Sequence, residues 1–485
     1  VILSIDYHAL APAIIISVTI VVCLLVDLFL PSRPQLVPRL ASLGVLAALI
    51  PVLTLAVDGT DRSMFGGAFV VDNYALAFEG LFLVVAYLAL LISFDEIADG
   101  DYYRGEFYVL LLTSLLGMIM MASARDLISI FVALETVSIP TFVMAGWRKH
   151  DTKSNEAAIK YFLIGVLSSA VMLYGMSLIF GLANGIKLSV ISQYANGSTP
   201  ALFAVAIFLT IVGFAFKVSA VPFHFWAPDT YVGAPLPVTA FLSVASKAAG
   251  FVALLTVIKF GFFSAADSWQ PLLWVLAVAS MTFGNLAALR QTNIVRMLAY
   301  SSIAQGGFIL VPLAVAGDVS GPSAWEAVLV YLMIYSAMNL GAFAVVMAVS
   351  RRSRSTEISS FSGLGRVDSV NAVLLSLFLF SLAGIPPLAG WFAKFVIFRA
   401  VFDAGTTAAV VLGVIAALNA VVAFFYYSNV VRRMWFDDAP ATERSERPTA
   451  VALTLAIGIC TAVVVVVGVY PEAFARLGQL AFTSG

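Results

Sequence analysis

Charge is scarce in this chain. Of 485 residues only 11% are Asp, Glu, Lys or Arg, against roughly 25% in average soluble domains. Hydrophobic residues make up 61% and the mean hydropathy is +1.02, the composition of a membrane protein. A net charge of −1 leaves no excess of one sign to attract nucleic acid or another strongly charged partner. Cysteine is nearly absent as well. Cys23 and Cys460 lie far apart in apolar segments, and two isolated thiols cannot hold an iron–sulfur cluster or structural zinc, which need about four clustered ligands. They read as small buried hydrophobes. No glycine-rich fingerprint opens a strand–helix unit, so no redox cofactor site is legible in this chain. The first apolar run, from about residue 9, follows no Lys or Arg and reads as a membrane span, not a cleaved leader.

What is abundant is long apolar runs. A crossing helix needs about 20 mostly apolar residues, and that ruler marks about fourteen spans. They run near 9–30, 38–57, 73–94, 105–122, 125–146, 154–183, 200–226, 235–263, 269–289, 293–316, 323–350, 368–402, 406–433 and 449–470. Loops are short, and an unusually tight turn joins spans 4 and 5 near Ser123–Asp126. The fold class is an all-α polytopic membrane protein. With the N-terminus outside, sixteen Lys and Arg fall in inward loops and five in outward loops, the other five lying within spans. The positive-inside rule then puts both termini on the outer side. Trp147, Trp269 and Trp435 fall near span ends, where an aromatic belt would place them.

Two spans carry helix-breaking chemistry at their middles. Span 7 holds Pro222 and Pro228 six residues apart, and span 12 sets Gly384 and Gly390 around Pro386-Pro387. Proline removes a donor and clashes with the carbonyl four residues back, so each span is expected to split into half-helices. Irregular backbone at membrane depth must be buried in protein or line a hydrated cavity. The breaks lie five spans apart. Two five-span units, spans 4–8 and 9–13, would have opposite topology and form an inverted repeat with a mid-membrane site. Ordinary proline kinks are the alternative. The expected organisation is a three-helix segment (1–104), a first repeat (105–263), a second repeat (264–433) and a C-terminal span (434–485).

A charge at mid-bilayer costs roughly 2.5–3.5 kcal/mol on insertion scales, so an intramembrane ionisable residue reads by default as part of an ion or proton path. Four stand out: Glu135, Lys217, Lys247 and Lys394. Lys217 lies five residues before Pro222, and Lys394 about two turns after Pro386-Pro387. Lys247 ends a stripe of Thr239, Ser243 and Ser246 spaced to share one helix face. Snorkelling at a span edge fits Lys160 and Lys259 better than these three. Lys160 also has Glu156 four residues back, as a surface-type pair requires. Weaker candidates are His224, whose ordinary titration range suits a relay, with Ser301 and Gln305 in span 10 and Tyr331, Tyr335 and Asn339 in span 11. Such stripes are either interhelical hydrogen-bond contacts or the lining of a proton wire. Glu79 reads as structural, and Asp229 as a cap. Burial disfavours a lysine's charged form and a nearby carboxylate favours it. Glu135 beside Lys217 would then act as a gate, pushing the proton on to Lys247 and Lys394.

At these residues the chain resembles a known family. Val221-Pro222-Phe223-His224-Phe225-Trp226-Ala227-Pro228-Asp229-Thr230-Tyr231, then Gly233-Ala234-Pro235-Leu236-Pro237-Val238-Thr239 and Ala245-Ser246-Lys247, is similar to the signature of antiporter-like membrane subunits of respiratory complex I. Arg290-Gln291-Thr292-Asn293-Ile294-Val295-Arg296-Met297-Leu298-Ala299-Tyr300-Ser301-Ser302-Ile303 resembles the same family's second-half signature. Tyr231, Gly233-Ala234-Pro235 and a lysine at Lys394 look most like its N-type branch. The resemblance implies a proton-pumping module of NADH:quinone oxidoreductase in a bacterial plasma membrane. It implies Glu135 and Lys217 as a charge pair, Lys247 as the connecting lysine and Lys394 as the exit-side group. FMN, iron–sulfur clusters and quinone would belong to partner subunits. Expected neighbours are another antiporter-like subunit, small membrane subunits and the bilayer, with no nucleic acid. A multisubunit Na+/H+ antiporter of the Mrp type shares the expected fold and is the alternative, and an inert spacer is a third reading.

Overall fold

The computed structural model describes residues 5–33, 35–99, 105–197, 200–319, 321–439 and 450–482. Arg104, Arg444 and Arg447, counted among the inward-loop charges, lie outside these residues. The chain opens with α1 (Tyr7–Phe29) and α2 (Leu36–Asp58), then a hairpin of β1 (Arg62–Met64) and β2 (Phe69–Val71). There follow α3 (Asn73–Ala98), α4 (Gly105–Ser123), α5 (Leu127–Ala145), α6 (Thr152–Ala183), α7 (Leu188–Ala195) and α8 (Ala201–Lys217). After a break come α9 (Trp226–Gly233), α10 (Leu236–Phe241), a π-helical turn at Leu242–Ser246, α11 (Lys247–Val257) and a second π-turn at Ile258–Phe262. The second half holds α12 (Ala266–Ala288), α13 (Ile294–Val315), α14 (Ser323–Ser353), α15 (Leu364–Val367), α16 (Ser369–Ala383) and α17 (Gly390–Ala404). It closes with α18 (Thr407–Phe436), α19 (Val451–Val469) and α20 (Glu472–Phe482).

Helix starts follow local chemistry. Asp6, Asp72, Asp126, Asp151, Asn293, Asp368 and Thr406 each turn a side-chain oxygen onto a free first-turn N–H, the interaction that favours short polar residues there. At the first of these, hydrogen bonds from the Ala9 backbone and Arg62 outweigh desolvation and hold the Asp6 carboxyl below its ordinary pKa.

Among the described residues, eleven helices are long and apolar enough to cross a membrane, fewer than the sequence reading expects. Two causes are visible. Broken spans fall into short halves such as Ala201–Lys217 and Ser369–Ala383, and a helical rod over 236–262 meets α12 at a short turn, Phe263–Ala265, so that two spans count as one. That rod, α13 and α14 are 94–100% buried over their apolar windows, against 28–33% for α1, α2, α6 and α18. The former therefore form the centre and the latter a rim. Lys247 sits in the centre, where it meets protein and not lipid. Cys23 and Cys460 are free and buried, as expected.

The aromatic belt fails at two positions. Trp269 is fully buried, its indole N–H donating to the Phe262 carbonyl at 2.8 Å, and Trp147 is buried against Phe107. Each packs into the protein instead, Trp269 against a carbonyl acceptor and Trp147 against an aromatic ring. The hairpin, α7 and α20 also went unforeseen, being too short or too polar for a twenty-residue ruler.

Candidate functional site

Spans 7 and 12 both break where expected. In the first, α8 ends at Lys217, and the chain runs non-helically to Trp226 through Ser219 at a φ of 59°. The peptide before Pro222 is cis, and the Val221 N–H finds the Ser280 hydroxyl at 2.9 Å. In the second, α16 ends at Ala383, Gly384 turns at φ 92°, and α17 resumes at Gly390 past a cis Pro386–Pro387 bond. The Ala389 N–H freed there donates to the Val464 carbonyl of α19 at 2.9 Å. One N–H at each break thus finds a partner in the protein, while Pro222, Pro386 and Pro387 stay exposed.

The breaks leave helix C-termini inside the protein, and lysines occupy them. Lys217 is the last residue of α8. Lys394, on α17, turns back so that its ammonium donates to the carbonyl of Ala383, the last residue of α16. The negative end of each half-helix dipole favours a cation there. A Cβ on Gly384 would stand 2.7 Å from the Lys394 Cδ, so glycine's missing side chain is what admits the lysine stem. Lys217 and Lys247 are each only 1% exposed.

Lys217 donates to the Ser138 hydroxyl at 2.9 Å and approaches the Tyr161 hydroxyl at 3.4 Å. Glu135 does not touch it. That carboxylate accepts from Ser169 on α6 at 2.6 Å, and the direct contact expected with Lys217 is replaced by Ser138, one turn along α5. Lys247 donates to the Ser302 carbonyl at 2.5 Å and hydroxyl at 2.6 Å. The Tyr335 hydroxyl donates to the same Ser302 Oγ at 2.9 Å, and Asn339 donates to the Ser243 hydroxyl at 2.7 Å. Gln305 reaches the Leu382 carbonyl at 3.1 Å, beside the carbonyl that holds Lys394. Tyr331 donates to its amide oxygen, and Ser301 pairs with Tyr427.

One helix gathers these contacts. Ser302 of α13 holds Lys247 and Gln305 reaches the break beside Lys394. A Cβ on Gly306 would lie 3.1 Å from the Val218 carbonyl, next to Lys217, and 3.7 Å from the Lys247 Nζ. The three lysines therefore gather along α13, Lys247 at Ser302, Lys217 beside Gly306 and Lys394 beside Gln305, and Lys217 and Lys247 each meet a hydroxyl that can both donate and accept. A neutral amine or hydroxyl can take a proton from one neighbour and pass it to the next.

His224 lies outside this line. It is buried between Phe225 and Phe283, with ring centroids at 4.5 and 4.6 Å, and its Nδ1 has no hydrogen-bond partner. Ser138, Tyr161, Ser169, Ser302, Gly306 and Tyr427 were not singled out from sequence, although Ser302 adjoins Ser301 in a polar stripe already noticed. Asp229 caps nothing: it pairs with Lys160 at 2.7 Å and Arg296 at 3.4 Å, joining α6, α9 and α13. The Lys160–Glu156 pair forms as expected, at 2.6 Å.

A polytopic helical membrane fold with two broken helices is shared with known proteins. The family model described as NADH:quinone oxidoreductase/Mrp antiporter, TM matches residues 124–419, and the chain belongs to that family. Within it, the chain is 38% identical to the NADH-quinone oxidoreductase subunit N of Trichlorobacter lovleyi, over 99% of this chain and 97% of the relative. It is 41% identical to the subunit of the same name from Rhodospirillum rubrum, over 88% of this chain and 87% of the relative. A chain in the respiratory complex I of Thermus thermophilus superposes with a TM-score of 0.81 at 33% identity, covering 96% and 98% of the two chains. A chain of the Mrp complex from Dietzia superposes at 0.86 over 99% and 97%, but at 20% identity, a likeness of fold alone.

Proposed function

We propose that this chain is an N-type, proton-translocating membrane subunit of an NADH:quinone oxidoreductase. Redox chemistry in partner subunits carrying FMN, iron–sulfur clusters and quinone would drive it, while this chain moves protons only. The carrying observation is the lysine line Lys217–Lys247–Lys394, joined through Ser302, Gln305 and Gly306 of α13. Whole-length identity to subunits N, at 38% over 97% of one relative, supports this reading over the Mrp one. In the relay, Glu135 is the switchable charge, Lys217 the first acceptor, Lys247 the connector and Lys394 the exit-side group. Ser302 and Tyr335 pass protons between them.

In this reading the chain has fourteen spans in two inverted five-helix units, 105–263 and 264–433, flanked by a segment at 1–104 and a last span within 434–485. The matched breaks and the lysine at each half-helix end support it. Both termini face the outer side of a bacterial plasma membrane, and an antiporter-like subunit and small membrane subunits lie alongside.

The test is proton pumping by the assembled complex carrying Lys247→Ala. Pumping is expected to fall to background with the complex intact, and wild-type pumping would refute the relay. Co-purification separates the two complexes: flavin and iron–sulfur subunits accompany this chain under the present reading, small antiporter subunits under the Mrp one.

A further inference from the structure

Glu79 lies six residues into α3 and is 1% exposed. The Ser123 hydroxyl at the end of α4 donates to its Oε1 at 2.8 Å, while its Oε2 is buried with no partner. Among the described residues no cation pairs with it. The nearest charges are Arg125 and Asp72, and they are spent on each other. Arg125 Nη2 lies 3.0 Å from the Asp72 carboxylate, and its Nη1 donates to the Ala122 and Ala124 carbonyls at 2.9 and 3.0 Å. An unpaired buried carboxylate is costly, and nearly all buried polar atoms in proteins have partners. A static hinge between α3 and α4 would be served as well by a glutamine, whose amide carries no charge to desolvate.

The surroundings give the carboxyl two directions. Asp72 caps α3 and keeps 16% of its side chain exposed, beside the β1–β2 hairpin. At that same end the Tyr74 hydroxyl pairs with Thr256 at 2.6 Å, in the last turn of α11. In the other direction the π-turn preceding Lys247 packs against α3, and its Ser246 hydroxyl is a second buried polar atom without a partner.

We propose that Glu79 is a further proton-carrying group, linking the lysine line to the membrane face on which the hairpin lies. This rests on the relay reading above. The neutral acid gives the proton on its carboxyl to solvent at the Asp72 end and becomes a carboxylate. It regains one from the Lys247 ammonium, which becomes a neutral amine, so one proton leaves the axis per cycle and no bond other than O–H and N–H changes.

The experiment places Glu79→Gln, Glu79→Asp and Lys247→Ala in the full complex, reconstituted in vesicles, and measures protons moved per NADH oxidised. Glutamine keeps the shape and the acceptor for Ser123, so a structural role survives it. Loss of pumping in Glu79→Gln with assembly intact, and retention in Glu79→Asp, is the expected result. If Glu79→Gln pumps normally while Lys247→Ala does not, the inference falls alone. If both pump normally, the relay falls and takes it along. Should Glu79→Gln not assemble, infrared spectra of the wild-type and Ser123→Ala complexes decide. A protonated-carboxyl band shifted by loss of the Ser123 hydrogen bond supports the proposal, and no such band overturns it.

Discussion

Ser301 and Ser302 are neighbours in sequence, but a helix turns about 100° between them, since it has 3.6 residues per turn. Only Ser302 meets Lys247; Ser301 is turned to Tyr427. A hydrogen bond to a charged group contributes about 1.5–3 kcal/mol, so Ser302→Ala is expected to weaken the hold on charged Lys247 by that order. Ser301→Ala leaves that lysine's contacts untouched. Proton pumping by complexes carrying each change checks this: a clear drop is expected for Ser302→Ala and a smaller one for Ser301→Ala. The four ionisable residues were legible because charge is expensive in lipid. Their hydroxyl partners were not, because serine is cheap in membrane helices and the phase that aims it is set by packing. For the same reason Glu135 was legible as an acid within an apolar span, while its partner, Ser169 instead of Lys217, was not.

At the scale of elements, proline and glycine wrote the breaks plainly into the sequence, and the structure places them at 218–225 and 384–389. What supports them is tertiary. The second break rests on α19, where a Cβ on Gly468 would stand 1.9 Å from the Pro387 carbonyl oxygen, and where Trp391 donates to the Gly468 carbonyl at 2.8 Å. Gly468→Ala must push α19 off the break. Overpacking of this kind costs about 1–3 kcal/mol, and a lower thermal midpoint of the purified complex is the expected readout. Gly458, on the same helix, has nothing within 4 Å of a built Cβ. Gly458→Ala is expected to be neutral or slightly stabilising, since alanine exceeds glycine in helix propensity by about 1 kcal/mol. The π-turn before Lys247 had no sequence signature, because it depends on how the rod meets α3 and α14 and not on a breaking residue.

Across the whole molecule, ion pairs crowd the face assigned as inward. Glu96 binds Arg148 at 3.0 Å, Arg351 pairs with Asp99, Arg352 meets Asp368 at 2.5 Å, and Arg366 meets Asp438 at 2.9 Å. Single exposed pairs contribute about 0–1 kcal/mol, so their weight is in orientation and in tying distant segments together. Orientation is checked by thiol labelling, with the native Cys23 and Cys460 buried and silent. Ser63→Cys, on the hairpin, is expected to react with an impermeant reagent in intact cells. Ser359→Cys, in the arginine-rich loop, should react only after the membrane is opened. The reverse pattern would invert the topology.

The contacts that α13 makes through Ser302, Gln305 and Gly306 occupy about 6 Å of its length, at 1.5 Å per residue. A small twist or slide of that one rod would change the surroundings of Lys247 and of both half-helix ends in the same movement. Under the proposed relay, a single shift of α13 would therefore reach all three ammonium groups together.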